Sequence, residues 1–122
     1  MNTNVILVAH RHLGTADEVT AKLLQSSADE LGEKLYLNFW RTLAEGTHRP
    51  RSICFLHQAV KSLLPDSPVL DALKILANDG VSIYACRTCC DYYKITEQVV
   101  IGKIVSMGDI QQELFTGSVL SL

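Results

Sequence analysis

Residues 67–86 read SPVLDALKILANDGVSIYAC, and this stretch decides the fold class. Ser67-Pro68 is a helix-opening pair: a side-chain oxygen to cap the first turn, then a residue whose fixed φ suits the first helical position. Val69, Leu70, Leu73, Ile75 and Leu76 recur with helical period, so a helix is expected over 68–78. Asp79-Gly80 stops it, and Val81-Ser82-Ile83-Tyr84-Ala85 follows as a buried strand.

The same alternation extends outward in both directions. Upstream, Ile53-Cys54-Phe55-Leu56 follows Pro50 as a continuous apolar run, and Val5-Ile6-Leu7-Val8-Ala9 forms another. Such runs mark strands covered on both faces. Between them, residues 28–44 carry Leu31, Leu35, Phe39 and Leu43 at four-residue spacing, a helical stripe, and Thr15 to Leu24 reads either as an extra helix or as an ordered loop. Downstream, residues 102–105, 107–115 and 119–122 continue as a short strand, a helix and a closing strand. Strands alternating with helices imply a parallel sheet flanked by helices. The expected architecture is therefore a single α/β domain over residues 1–122, with a mostly parallel five-stranded sheet and helices on both faces. No internal repeat, low-complexity tract or linker interrupts it.

Composition narrows the function classes. A chain of 122 residues, 48% hydrophobic, fits one core. Eleven Lys and Arg against 13 Asp and Glu give a net charge of −2, which argues against nucleic acid and acidic membranes as partners. No apolar run approaches transmembrane length, and Met1-Asn2-Thr3-Asn4 lacks a basic signal-peptide start, so a cytoplasmic protein is expected. Its four cysteines are then expected as thiols.

In a parallel α/β sheet, ligands collect beyond the carboxyl ends of the strands. There the first strand leads to His10 and His12, the second to His57 and the third to Cys86. The three histidines are either a shared binding edge or ordinary solvated loop residues. Cys86-Arg87-Thr88-Cys89 is a CxxC with three readings. A zinc site lacks a second ligand pair at usable spacing, so no metal is assigned. A dithiol redox pair lacks the usual position near the start of the chain. A nucleophilic thiol has a physical basis, because a strand end that opens a helix favours thiolate, and Arg87 adds a positive charge beside it. Against all three stands the use of cysteine as a small hydrophobe, expected for Cys54 within its strand and open for Cys90. The sequence implies no cofactor.

The succession of motifs resembles the DsrE/DsrF-like domain at the C-terminus of YedF-type proteins, a group associated with sulfur transfer and selenium metabolism. The likeness runs from about residue 28 to the end. Asp29-Glu30-Leu31-Gly32 resembles the helix-opening DELG of that family, and Ala59-Val60-Lys61 its Gly-Val-Lys after the second strand. Ser67-Pro68-Val69-Leu70 through Leu73, then Gly80-Val81, resemble its next helix and strand entrance. Densest is Ala85-Cys86-Arg87-Thr88-Cys89-Cys90-Asp91-Tyr92-Tyr93, where the family has Cys-Gly-Thr-Cys-Leu-Asp-Tyr-Tyr. Ile101-Gly102, Met107 and Ile110 follow in order. Arg87 and Lys94 replace frequent glycines, and Cys90 replaces an apolar residue.

The resemblance implies a flavodoxin-like, DsrE-like fold, a homo-oligomer (trimer or hexamer), and a sulfur-relay or sulfurtransferase-like protein carrying sulfur or selenium as a cysteine persulfide. On that reading Cys86 is the carrier, Cys89 the helper and Arg87 the group favouring thiolate, while His10, His12, His57, Lys61, Thr88 and Tyr92 are candidate binding residues. The separate sulfur-carrier domain of full-length YedF proteins has no counterpart in this sequence, so a separate sulfur-carrier protein is an expected partner. The rival reading is a non-catalytic oligomeric subunit binding a small ligand or a protein, in which Lys61, Arg87 and the histidines hold an anion or partner loop.

Overall fold

β1, Val5–Val8, is an interior strand of the sheet, where its apolar run is covered on both faces. The computed structural model describes residues 4–13 and 30–122; the Thr15–Leu24 segment and the start of the expected 28–44 helix lie outside them. α1 covers Glu30–Glu45, β2 Ser52–Phe55, a 3-10 helix His57–Leu63, α2 Leu70–Asn78 and β3 Ser82–Cys86. α3 covers Arg87–Tyr92, β4 Lys103–Val105, α4 Met107–Leu114 and β5 Val119–Ser121. The strand order is β4-β3-β2-β1-β5, and every pairing is parallel.

Alternation along the strands divides the core into two layers. Ile6, Val8, Ile53, Phe55, Ile83 and Ala85 face α1, α2 and the 3-10 helix. Val5, Cys54, Cys86 and Val105 face the opposite way, against Ile110 of α4. The chain steps from β1 to β4 in one direction and then returns across the sheet to β5. Right-handed crossovers therefore place α4 on the face opposite α1 and α2.

The helix ends follow the expected chemistry with one displacement. Ser67 lies two residues before the N-cap position, Val69: its Oγ accepts from Val69 N at 3.3 Å, and α2 starts at Leu70. At the other end Gly80, with φ 93°, sends its N–H to Ala77 O, and Val81 N–H reaches Leu76 O, both at 3.1 Å. This is the paired bond of a Schellman stop, which needs the left-handed residue that glycine supplies most easily.

α1 departs from expectation. Its buried stripe is Tyr36, Trp40 and Ala44, whereas Leu31 is 69% and Leu35 42% exposed. Phe39 and Leu43 are only partly buried against the core. The helix carries two adjacent apolar stripes, and shape complementarity decides between them. Trp40 packs with ring centroids 5.9 Å from Phe55 of β2 and 6.0 Å from Tyr36. The stretch after β2 was assigned no element from sequence; it forms the 3-10 helix, burying Ala59, Val60, Ser62 and Leu63.

Candidate functional site

The parallel register brings the carboxyl ends of β1, β2 and β3 level, with Val8 opposite Phe55 and Phe55 opposite Ala85. One residue further, Cys86 ends β3 and caps α3. The Cys86 side chain lies in the layer under α4 and is 1% exposed. Cys89, one turn into α3, is half-buried, and Cys90 is fully buried in the other layer. All four cysteines are free thiols.

Cys89 is where the chemistry converges. Its Sγ accepts a hydrogen bond from the backbone N–H of His57 at 3.0 Å. His57 holds this position with φ 52°, in the left-handed region that non-glycine residues seldom occupy. Its ring meets Tyr93 edge-on, with Nδ1 3.4 Å from the Tyr93 hydroxyl, and Lys61 Nζ sits 4.4 Å above the same tyrosine ring. The Cys86 thiol is close enough to interact with Cys89 directly.

Burial dominates the electrostatics of the thiols around Cys86. Burial pushes the Cys89 thiol up, the His57 N–H offsets part of that, and the neighbouring Cys86 adds to the rise. Burial likewise pushes Cys90 up to about 11, where Arg87 is only a small opposing influence, and Cys54 up to about 11. Desolvation is the largest cause at each of these thiols, and at Cys90 the Arg87 guanidinium, whose Nη2 donates to Ile104 O at 3.4 Å, does not offset it.

The other sequence candidates divide. Lys61 and His57 join the Cys89 cluster through Tyr93. Thr88 is exposed on α3, and Tyr92 is 79% exposed, packing its ring on Tyr93 at 5.3 Å. His10 and His12 stack on each other at 5.2 Å. His12 lines a separate cleft of about 270 Å³ with Arg11, Glu33, Tyr36, Gln58 and Ser62. At its base the Tyr36 hydroxyl and Ser62 Oγ are 2.8 Å apart. Tyr93 was not among the sequence candidates. The i,i+4 relation from Cys89 was the available signal, since it sets Tyr93 on the same helical face. Among the described residues no group of three His, Cys, Asp or Glu is placed to hold a metal ion. None of the described helices is long and apolar enough to cross a membrane.

The family model for DsrE/DsrF-like proteins matches residues 5–121. The chain belongs to the DsrE/DsrF-like family. This DsrE-like chain is similar in fold to the ychN protein of E. coli, at 17% identity with all of both chains covered and a TM-score of 0.62. It is also similar to MTH1491 of Methanobacterium thermoautotrophicum, a protein of unknown function, at 17% identity over all of both chains and a TM-score of 0.61. BT1422 of Bacteroides thetaiotaomicron, a conserved protein of unknown function, shares 15% identity over 98% of this chain and 95% of its own, with a TM-score of 0.57. A comparison with curated proteins finds no match. DsrE-like membership associates the chain with sulfur relay in general.

Proposed function

We propose that this protein carries sulfur as a persulfide on the Cys86–Cys89 pair. The observation that supports it most is the pairing of a sealed thiol with a reachable one at the carboxyl edge of the sheet: Cys86 is 1% exposed, and Cys89 lies half-buried beside it. Burial divides the labour. Cys89 receives sulfur, because a donor reaches it. Cys86 holds it, shielded from stray thiols.

The first exchange is R–S–SH + Cys89–SH → R–SH + Cys89–S–SH: the Cys89 sulfur attacks the outer sulfur, and the donor thiol leaves with the proton. The second is Cys89–S–SH + Cys86–SH → Cys89–SH + Cys86–S–SH, in which the proton given up by Cys86 ends on Cys89. Neither exchange involves net oxidation or reduction.

The narrower likeness to YedF-type domains extends the reading to selenium as cargo and to a cytoplasmic trimer or hexamer. Exposed Phe115, Val119 and Leu120 around the edge strand β5 are consistent with burial between copies. The donor on this reading is a separate sulfur-carrier protein or a small persulfide.

Incubation with a low-molecular-weight persulfide is expected to add the mass of one sulfur atom to the intact protein. Cys89→Ser should slow the gain at least about tenfold, and Cys86→Ser should leave an adduct on Cys89 that small thiols strip quickly. A wild-type protein that gains no sulfur overturns the proposal. The cleft lined by Arg11, Glu33 and Tyr36 favours a second reading, a ligand-binding subunit with incidental thiols. On that reading, ligand-dependent stabilisation survives Cys86→Ser.

A further inference from the structure

His57 stands out because it keeps an unfavourable backbone conformation. Its φ of 52° belongs to the left-handed region, which is unfavourable for a residue with a β-carbon. Such outliers persist only where the surroundings over-determine them. Three contacts do so here. The N–H of His57 is directed at Cys89 Sγ, 3.0 Å away; its ring lies edge-on to Tyr93; and Ala59 N–H closes the turn onto Leu56 O at 3.0 Å. Since β2 ends at Phe55, a regular continuation of the strand is broken at the residue that aims its amide at the sulfur.

We infer that the His57 backbone amide is the anion-binding group of this site, stabilising negative charge on the Cys89 sulfur when that sulfur attacks and when it leaves. This deepens the sulfur-carrier reading and rests on it for its role in turnover. In the first exchange Cys89 is the nucleophile, and an N–H on its sulfur raises the thiolate fraction against the burial that opposes it. In the second exchange Cys86 takes the outer sulfur, and Cys89 sulfur departs carrying the bonding electron pair before it accepts the proton. A better-stabilised leaving thiolate departs faster. One fixed donor thus serves both directions, as a pre-organised amide does for a developing oxyanion. The His57 ring packs edge-on against Tyr93, itself under Lys61, beside the turn that presents the amide.

The test separates backbone from imidazole. His57→Asn and His57→Val both remove the imidazole, but asparagine tolerates the left-handed region and a β-branched residue does not. Alkylation of Cys89 by iodoacetamide, followed by peptide mass spectrometry across pH, reads its thiolate directly. The ionisable groups on the elements around it are Tyr84 and Cys86 of β3, His57 and Lys61 of the 3-10 helix, Lys103 of β4, and Arg87, Cys90, Asp91, Tyr92 and Tyr93 at α3, all kept in both variants except His57. We expect the Asn variant to follow the wild-type midpoint. The Val variant should need a higher pH and react about tenfold more slowly at pH 8, the scale of one charge-assisted hydrogen bond. Should His57→Val fail to fold, His57→Ala carries the same comparison with a smaller expected effect. Equal midpoints in the Asn and β-carbon variants, whether shifted or not, would overturn the inference. Alkylation needs no sulfur donor, so a protein that shows the Asn–Val difference yet never gains sulfur would sink the carrier reading while leaving the amide's role intact.

Discussion

Lys94 sits in the left-handed region of backbone space, and the bonds that close the helix give the reason. After α3 the chain closes as it does after α2: Lys94 N–H reaches Asp91 O at 3.1 Å, and Ile95 N–H reaches Cys90 O at 3.0 Å. The residue between these bonds must be left-handed, and Lys94 has φ 58°. The turn geometry is kept at the expense of strain in an exposed lysine. Lys94→Gly should therefore raise stability by up to about 1 kcal/mol, the relief of strain less the extra freedom of the unfolded chain. Urea unfolding reads it, and a loss of stability would contradict this account. At this scale the sequence was informative about which residue types matter and weak on where they point. His57 and Lys61 meet at Cys89 because of a left-handed residue and an intervening Tyr93, and no periodicity encodes either. Arg87 follows Cys86 along the chain, and its long side chain reaches the Ile104 carbonyl of β4.

Elements were legible where chain chemistry and packing agree. The strands at 5–8, 52–55 and 82–86 fall within one residue of their apolar runs, because a strand buried on both faces leaves no polar alternation to misread. α4 also matched, and its start is fixed by a capping box: Ser106 Oγ accepts from Asp109 N at 3.2 Å, and Asp109 Oδ2 accepts from Ser106 N at 3.3 Å. α1 was misread in its face, since Leu31 and Leu35 are as apolar as the stripe that Trp40 leads into the core. The sharpest demand at this scale falls before β4. Gly102 has φ 85°, and a β-carbon there would stand 2.8 Å from both Ile83 O and Ile83 Cγ2. Neither can yield, because Ile83 lies within β3 between two paired strands. Gly102→Ala should cost at least about 2 kcal/mol, combining left-handed strain with overpacking, and should loosen β4 from Cys86. Thermal unfolding measures the first effect, and faster amide exchange at Val105 the second; a neutral substitution would show that the β3–β4 junction is softer than its contacts imply.

Across the whole molecule, the two layers share one titration behaviour that ties thiols to stability. Cys54 lies fully buried under α4 and Cys90 fully buried under the opposite layer, and burial raises each to about 11. In the unfolded chain both ionise near the free-thiol value of about 8.5. Above that value the unfolded state has shed protons that the folded state retains, so the folded protein binds more protons and stability falls as pH rises. The contribution is complete below about pH 8.5 and is lost progressively as pH rises toward 11, on the order of 2 kcal/mol for each thiol. Parallel order made this arrangement readable only in part: alternation along β2 places Cys54 on one face, but the depth of Cys90 depends on how the short α3 sits against the 3-10 helix, a contact distant in sequence. The measurement is urea unfolding at pH 7.5 and pH 10 on wild type, Cys54→Ala and Cys90→Ala. Each alanine variant starts less stable at pH 7.5, since a small apolar group is lost from the core, but its decline toward pH 10 should be shallower than that of wild type. Parallel declines in all three would place the alkaline sensitivity outside these two thiols, with the buried Tyr36 hydroxyl, which burial also pushes up, the next group to test.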